Sequence, residues 1–429
     1  MRHFEPTREF ARSLDSADPM RHFKERFYVK EGLIYMDGNS LGLCSKDAEQ
    51  YVLEALETWK NEGIGLWSAP CADGTAYFDY QDTLGAGLAK LIGADADEVT
   101  VSTNTTMNIH QAVATFYHPT PERNKIVMDD LNFPTDHYAV KSQIRLHGYD
   151  PEQCLKFVKS RDGKLINEDD VIAAFTDDVC LALLPSVLYR SAQLVDMEKI
   201  AKAARERGIV IGFDLCHSIG SVPHDFKKID PDFAVWCNYK YMNGGPGTVA
   251  GLYINRRHFA CEPGLSGWHG NRADTKFELR LEFEHELRAS GWQTGTQPIL
   301  SMAPIFGSLK LYGETDIQTV REKSLNLTAY LMYLIDEKLT KYGFSVGNPR
   351  DDAKRGGHVA LEHDDAIRIN EAIKHNGIVP DFRFPNVIRL APIAFYTSYE
   401  DIYEMVERII RIMETREYEQ YENKIGSIA

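Results

Sequence analysis

The stretch that most constrains this chain runs from residue 208 to 247 and reads GIVIGFDLCHSIGSVPHDFKKIDPDFAVWCNYKYMNGGPG. It holds two apolar, β-branched runs, IVIGF (209–213) and FAVWC (233–237). Each has the length of a strand buried on both faces. The first runs into Asp214, Leu215, Cys216 and His217; the second runs into Tyr239 and Lys240, followed by a loop with Asn243, Gly244, Gly245, Pro246 and Gly247. If a crossover makes the two strands parallel neighbours, a carboxylate and an amine share the carboxyl edge of a sheet. Open α/β sheets seat their ligands at that edge.

Two readings of the pair stay open on these residues alone. A lysine beside an aspartate is ordinarily a salt bridge. The same two groups can instead flank an aldehyde cofactor, with the lysine forming a Schiff base and the aspartate facing a protonated pyridine nitrogen. That is how pyridoxal phosphate (PLP) enzymes are built.

The rest of the chain alternates strand and helix. Apolar runs at 99–101, 125–128, 154–158 and 179–184 precede the two above, and 248–254 follows them. Helical periodicity covers 48–59, 80–92, 107–116, 169–175 and 197–207. This rhythm predicts an α/β fold with a mostly parallel sheet flanked by helices. Residues 46–312 are expected to form this large domain, and 313–429 a smaller C-terminal α+β domain that the arm 1–45 joins. Between them, 262–296 is rich in Gly, His, Trp and charge and has no clear period, so an extended loop is expected. Thr105 and Thr106 open a helix, where hydroxyls serve as N-caps or border a phosphate site. The glycines of DGNSLGL (37–43) read most simply as turn residues.

With 48 basic against 63 acidic residues, the net charge of −15 argues against nucleic acid or an anionic membrane as the main partner. Seven cysteines without a C-x-x-C pair fit neither a disulfide scaffold nor a zinc site, so no metal and a reducing, cytoplasmic setting are expected. The first twenty residues are charged throughout, unlike a secretory signal. No apolar run approaches the roughly 20 residues that span a bilayer.

Taken together, five stretches resemble the kynureninases, in the class V aminotransferase branch of fold-type I PLP enzymes. They are YMDGNSLGL (35–43), NFPTDHYAVKSQIRLHG (132–148), GFDLCHSIGSV (212–222), DFAVWCNYKYMNGGPGTVAG (232–251) and PNVIRLAPIAFYTSYEDIYE (385–404). The resemblance implies that Lys240 carries the cofactor and that Asp214 pairs with its ring nitrogen. It implies that Thr105 and Thr106 hold the phosphate, with Tyr239 touching it and able to donate a proton. Phe133 would stack on the ring, with Thr135 and Asp136 lining the pocket and His217 and Trp268 beside the cofactor. Arg389 matches the arginine for the substrate α-carboxylate, whose planar fork suits a bidentate contact. The implied reaction is hydrolysis of the Cβ–Cγ bond of L-kynurenine or 3-hydroxykynurenine, a step of tryptophan catabolism. It releases anthranilate or 3-hydroxyanthranilate and L-alanine. A homodimer is implied too, with 262–296 reaching into the partner's site.

The chain departs from the family pattern on the substrate side. The loop after the first long helix reads EGIGLWSAP, with no histidine between His22 and His110. Thr296 stands where the family has an asparagine, and a Gly-Thr there is similar to relatives in which it touches the cofactor phosphate of the neighbouring chain. The segment around Trp268 matches poorly. A related PLP lyase or aminotransferase acting on another amino acid is the alternative reading. A cysteine desulfurase is disfavoured, because its mobile-loop cysteine lies in the C-terminal part and the last cysteine here is Cys261.

Overall fold

β-Branched runs and amphipathic segments alternate along the chain. In the computed structural model, which describes residues 3–71 and 73–424, they pack as a sheet between two helical layers. A short strand, β1 (Ile34–Tyr35), precedes seven that form the main sheet. These are β2 (Val99–Ser102), β3 (Lys125–Asp129), β4 (Leu155–Val158), β5 (Val179–Pro185), β6 (Val210–Asp214), β7 (Phe233–Trp236) and β8 (Ala250–Ile254). Their spatial order is β2-β8-β7-β6-β5-β3-β4. From β7 to β4 all neighbours are parallel, whereas β8 is antiparallel to both β7 and β2. The reversal has a simple cause: β7 passes to β8 through the Lys240 loop without the crossover helix that a parallel neighbour requires.

Alternation along the strands builds a core on each face. Leu181, Leu183, Phe233 and Val235 pack with the helices Thr105–Phe116 and Pro134–Leu146. Ala182, Leu184, Ala234 and Trp236 face the opposite way, toward Tyr80–Ile92, Met197–Glu206 and Ile299–Gly313. Two boundaries differ from the sequence expectation. Residues 154–158 divide into a one-turn helix, Pro151–Cys154, and β4, and the helix expected at 169–175 is the short Glu168–Ala173.

A separate apolar core lies under β9 (Ser345–Val346), β10 (Val359–Glu362), β11 (Ile378–Val379), β12 (Asp381–Arg383) and β13 (Val387–Leu390). Four of these form an antiparallel sheet, β12-β13-β10-β9, while β11 pairs in parallel with β1. The helices Arg8–Ala17, Ile317–Leu334, Ala366–His375 and Tyr399–Glu414 bury Ala11, Leu331, Ile369 and Met405 against it. Ala11, Ile34 and Met36 of the arm 1–45 belong to this core, whereas its Met20, Phe23 and Phe27 pack into the core of the main sheet. The helix Ile317–Leu334 continues into a π-turn at Ile335–Leu339.

Candidate active site

Asp214 ends β6 and lies opposite Val235 of β7, so the carboxyl ends of the two strands coincide. Lys240 follows β7 by a few residues, in a loop held by the DGNSLGL segment. The Gly42 N–H donates to the Tyr239 carbonyl at 2.8 Å. A Cβ on Gly42 would overlap the Asn243 side chain and the Lys240 carbonyl. Gly42 is therefore required by close backbone approach and not by a turn, which corrects the sequence expectation for this position. The contact also delivers Asn39 and Ser40 to the lysine.

Above this edge lies a cavity of about 340 Å³. Lys240, Asp214, His217 and Tyr239 line one side of it, and Thr105, Thr106, Phe133 and Thr135 another. Arg389 closes it from β13. Asp136 does not reach the cavity; it is fully buried behind it. Trp268 and Thr296 also lie outside the cavity in the single chain.

Burial and neighbouring charges perturb several groups around the cavity. His217 is buried, and burial followed by the charge of Lys240 holds its pKa well below the usual histidine range. Its neutral Nε2 accepts from Lys240 Nζ at 2.9 Å. Asp214 accepts the Cys216 N–H at 2.6 Å. Burial, and then the charge of Asp214, raise the Asp136 carboxyl well above its ordinary value. Asn132 Nδ2 donates to Asp136 Oδ2 at 2.9 Å. Cys237, and then burial, push the Tyr239 phenol upward, so it keeps its proton at neutral pH.

A helix N-terminus also borders the cavity. Asn104 caps the helix Thr105–Phe116 by accepting the Met107 N–H at 3.0 Å. The first-turn N–H groups of Thr105 and Thr106 have no intrahelical acceptor, and the helix dipole is positive there. Thr106 Oγ1 lies 2.8 Å from Thr135 Oγ1, which ties this helix to the next. Phe133, half exposed, presents an aromatic face at the start of Pro134–Leu146. An amine, an acid, an aromatic face and a phosphate cradle in one cavity suit a flat, phosphorylated aldehyde.

Arg389 is only 1% exposed, and its planar fork is already engaged. Nε and Nη2 both donate to Asp381, the first at 2.6 Å. Arg389 thus already faces a carboxylate of its own chain, which limits how it could meet a substrate carboxylate. Asp381, Arg383, Tyr189 and Ser40 complete this end of the site. None of them is among the sequence-derived candidates, although an Asp-x-Arg three residues long is visible at 381–383.

Comparison with known proteins decides the family. A family model of the kynureninase C-terminal domain matches residues 320–409. The kynureninase of Geobacillus thermodenitrificans is 53% identical over 94% of each chain, and that of Bacillus thuringiensis subsp. konkukian is 52% identical over 98% of each. The chain belongs to the kynureninase family. Among solved structures, its fold is similar to an apo cysteine desulfurase from Thermococcus onnurineus NA1, with a TM-score of 0.76 at 16% identity, covering 92% of this chain and 98% of that one. It is equally similar to a C-DES variant with glycine covalently linked to its PLP cofactor (TM-score 0.76, 16% identity, 90% and 98% covered). At that identity the likeness is one of fold. Like those chains, this member of the kynureninase family is an α/β protein built on a mostly parallel sheet between helices. The histidine-free loop after the first long helix forms a 3-10 turn at Gly63–Ser68, and none of its described residues lines the cavity of its own chain.

Proposed function

We propose that this chain is a PLP-dependent hydrolase that cleaves the Cβ–Cγ bond of L-kynurenine or its 3-hydroxy derivative, releasing L-alanine and the aryl acid. The observation that carries the reading is Lys240 and Asp214 on one cavity with a helix N-terminus, in a chain more than half identical to a kynureninase. Lys240 would hold the cofactor by its aldehyde. The first-turn N–H groups of Thr105 and Thr106 would hold its phosphate, Asp214 would face its ring nitrogen and Phe133 its ring. When bound, PLP supplies an electron sink for the bonds around the substrate Cα.

The chain's own groups do the rest. Lys240 Nζ would move the substrate Cα proton, while neutral His217 accepts a hydrogen bond from it and keeps it in place. Tyr239, protonated, is positioned as a proton donor. The arginine end of the cavity orients the substrate carboxylate. A homodimer completes the reading, with Trp268 and Thr296 offered to the partner's cavity from the segment 262–296, and a cytoplasmic location goes with it.

Purified holoenzyme mixed with L-kynurenine tests the proposal: anthranilate fluorescence and stoichiometric alanine are expected. A keto acid formed from another amino acid, with no anthranilate, would favour the lyase or aminotransferase reading that Thr296 and the histidine-free loop allow. Lys240→Ala is expected to abolish the visible absorbance of the lysine-bound cofactor and all turnover while leaving the far-ultraviolet circular dichroism unchanged. Retention of that absorbance would remove the lysine assignment.

A further inference from the structure

Arg389 has one N–H to spare. Its Nε donates to Asp381 Oδ2, and Nη2 donates both to that oxygen and to Ser40 Oγ at 2.9 Å. Nη1 donates to the Tyr189 carbonyl at 2.9 Å. A guanidinium carries five N–H donors. Four are committed within the chain, and a single Nη1 hydrogen remains. Bidentate recognition of a carboxylate by one arginine needs two parallel N–H groups. Arg389 would have to give up Asp381 to provide them, and at 1% and 2% exposure that pair does not part readily.

Arg383 has the donors that Arg389 lacks. The β12–β13 hairpin sets Asp381 directly opposite Arg389, and Arg383 projects from the same face two residues on. Arg383 lines the same cavity. Its Nη1 is held by Asp381 Oδ1 at 2.9 Å and by the Phe382 carbonyl at 3.1 Å. Its Nη2 donates to none of the described residues. One buried carboxylate therefore braces two arginines, each with a donor left over.

We propose that the substrate's α-carboxylate is gripped between Nη1 of Arg389 and Nη2 of Arg383, with Asp381 fixing the span, so that Arg383 is a second determinant of amino-acid specificity. The inference rests on the amino-acid substrate proposed above but not on the identity of its aryl group.

The test titrates holoenzyme with L-alanine and with L-alaninamide, which lacks the carboxylate, following the cofactor absorbance. Arg383→Gln is expected to weaken L-alanine by about ten-fold or more and L-alaninamide by less than about two-fold. Arg383→Lys, which keeps a charge without the fork, should recover part of the discrimination. Melting temperatures of both variants separate lost binding from lost folding. Parallel weakening of both ligands, or no change in either, would overturn the clamp. Should kynurenine resist cleavage while acid-over-amide discrimination still depends on Arg383, the clamp would stand and the substrate reading would fall.

Discussion

Truncating Arg389 does two things at once, because its partner is as buried as it is. Arg389→Ala is expected to raise KM if the residue meets the substrate carboxylate as proposed, and it also strips Asp381 of its nearest charge. Breaking a buried pair costs up to roughly 3–5 kcal/mol, and less here because Arg383 still holds Asp381 at 2.9 Å. The melting temperature is therefore expected to fall with Arg389→Ala and to recover only in part in the Asp381→Ala/Arg389→Ala double variant, where Arg383 in turn loses Asp381, while KM stays high in both. A double variant with wild-type KM would mean that the carboxylate binds elsewhere. Asp129 supplies a second residue-scale prediction. It closes β3, fully buried, and burial pushes its carboxyl up to about 7, although Oδ1 accepts the Leu131 N–H at 2.9 Å. The folded value lies above the unfolded one of about 3.9, so the folded state holds an extra proton between them. Stability from this group is present below about pH 4 and is lost as pH rises through 7. The melting temperature of Asp129→Asn relative to wild type should accordingly climb between pH 4 and pH 8. A constant difference would show that Asp129 does not titrate in that window.

At the scale of elements, what the sequence disclosed depended on length. The strands that carry Asp214 and precede Lys240 are four or five residues of buried, β-branched chain, long enough for a pattern to show. Their parallel pairing then follows from the crossover between them. β11 and β12 are two and three residues long, below any periodicity, and β12 is the element that carries Asp381 and Arg383. Whether Arg389 was free or engaged depended on the β12–β13 register, which only pairing in space sets. Gly42 is a similar case, since a glycine in a turn and a glycine under another loop look alike in a sequence. The structure makes its role testable. Gly42→Ala forces a methyl group against Asn243 and the Lys240 carbonyl, and such overpacking costs roughly 1–3 kcal/mol. Because the strain falls on the lysine loop, PLP affinity measured by equilibrium dialysis should drop by about ten-fold, with a smaller change in melting temperature. Unaltered affinity would mean that the loop yields freely and does not position the lysine.

At the scale of the whole molecule, two loops place apolar side chains on one surface. Ile64 is 85% exposed and Leu281 98%, and Trp59, Phe277, Leu279 and Leu300 are also exposed. The loops adjoin: Gln297 donates to the Phe78 carbonyl at 2.7 Å, and Phe78 packs on Phe277 with ring centroids 6.2 Å apart. Beside them Trp59, Ile64, Trp67 and Leu300 wall a groove of about 510 Å³. An apolar surface of this kind marks an interaction site, and in a chain of net charge −15 it offers a second copy a face with little repulsion. Trp268, whose ring packs on Phe277 at 5.7 Å, and Thr296, next to Gln297 of the groove, lie by this region and outside the chain's own cavity, and the shared site proposed above would need them there. Subunit mixing tests the sharing directly. Lys240→Ala and Thr296→Lys chains are each expected to be inactive alone. If Thr296 serves the partner's cavity, random mixing of equal amounts leaves one intact site in every hybrid dimer, and activity should return to about a quarter of wild type. If each chain instead builds its site alone, the hybrid has no intact site and the mixture stays inactive.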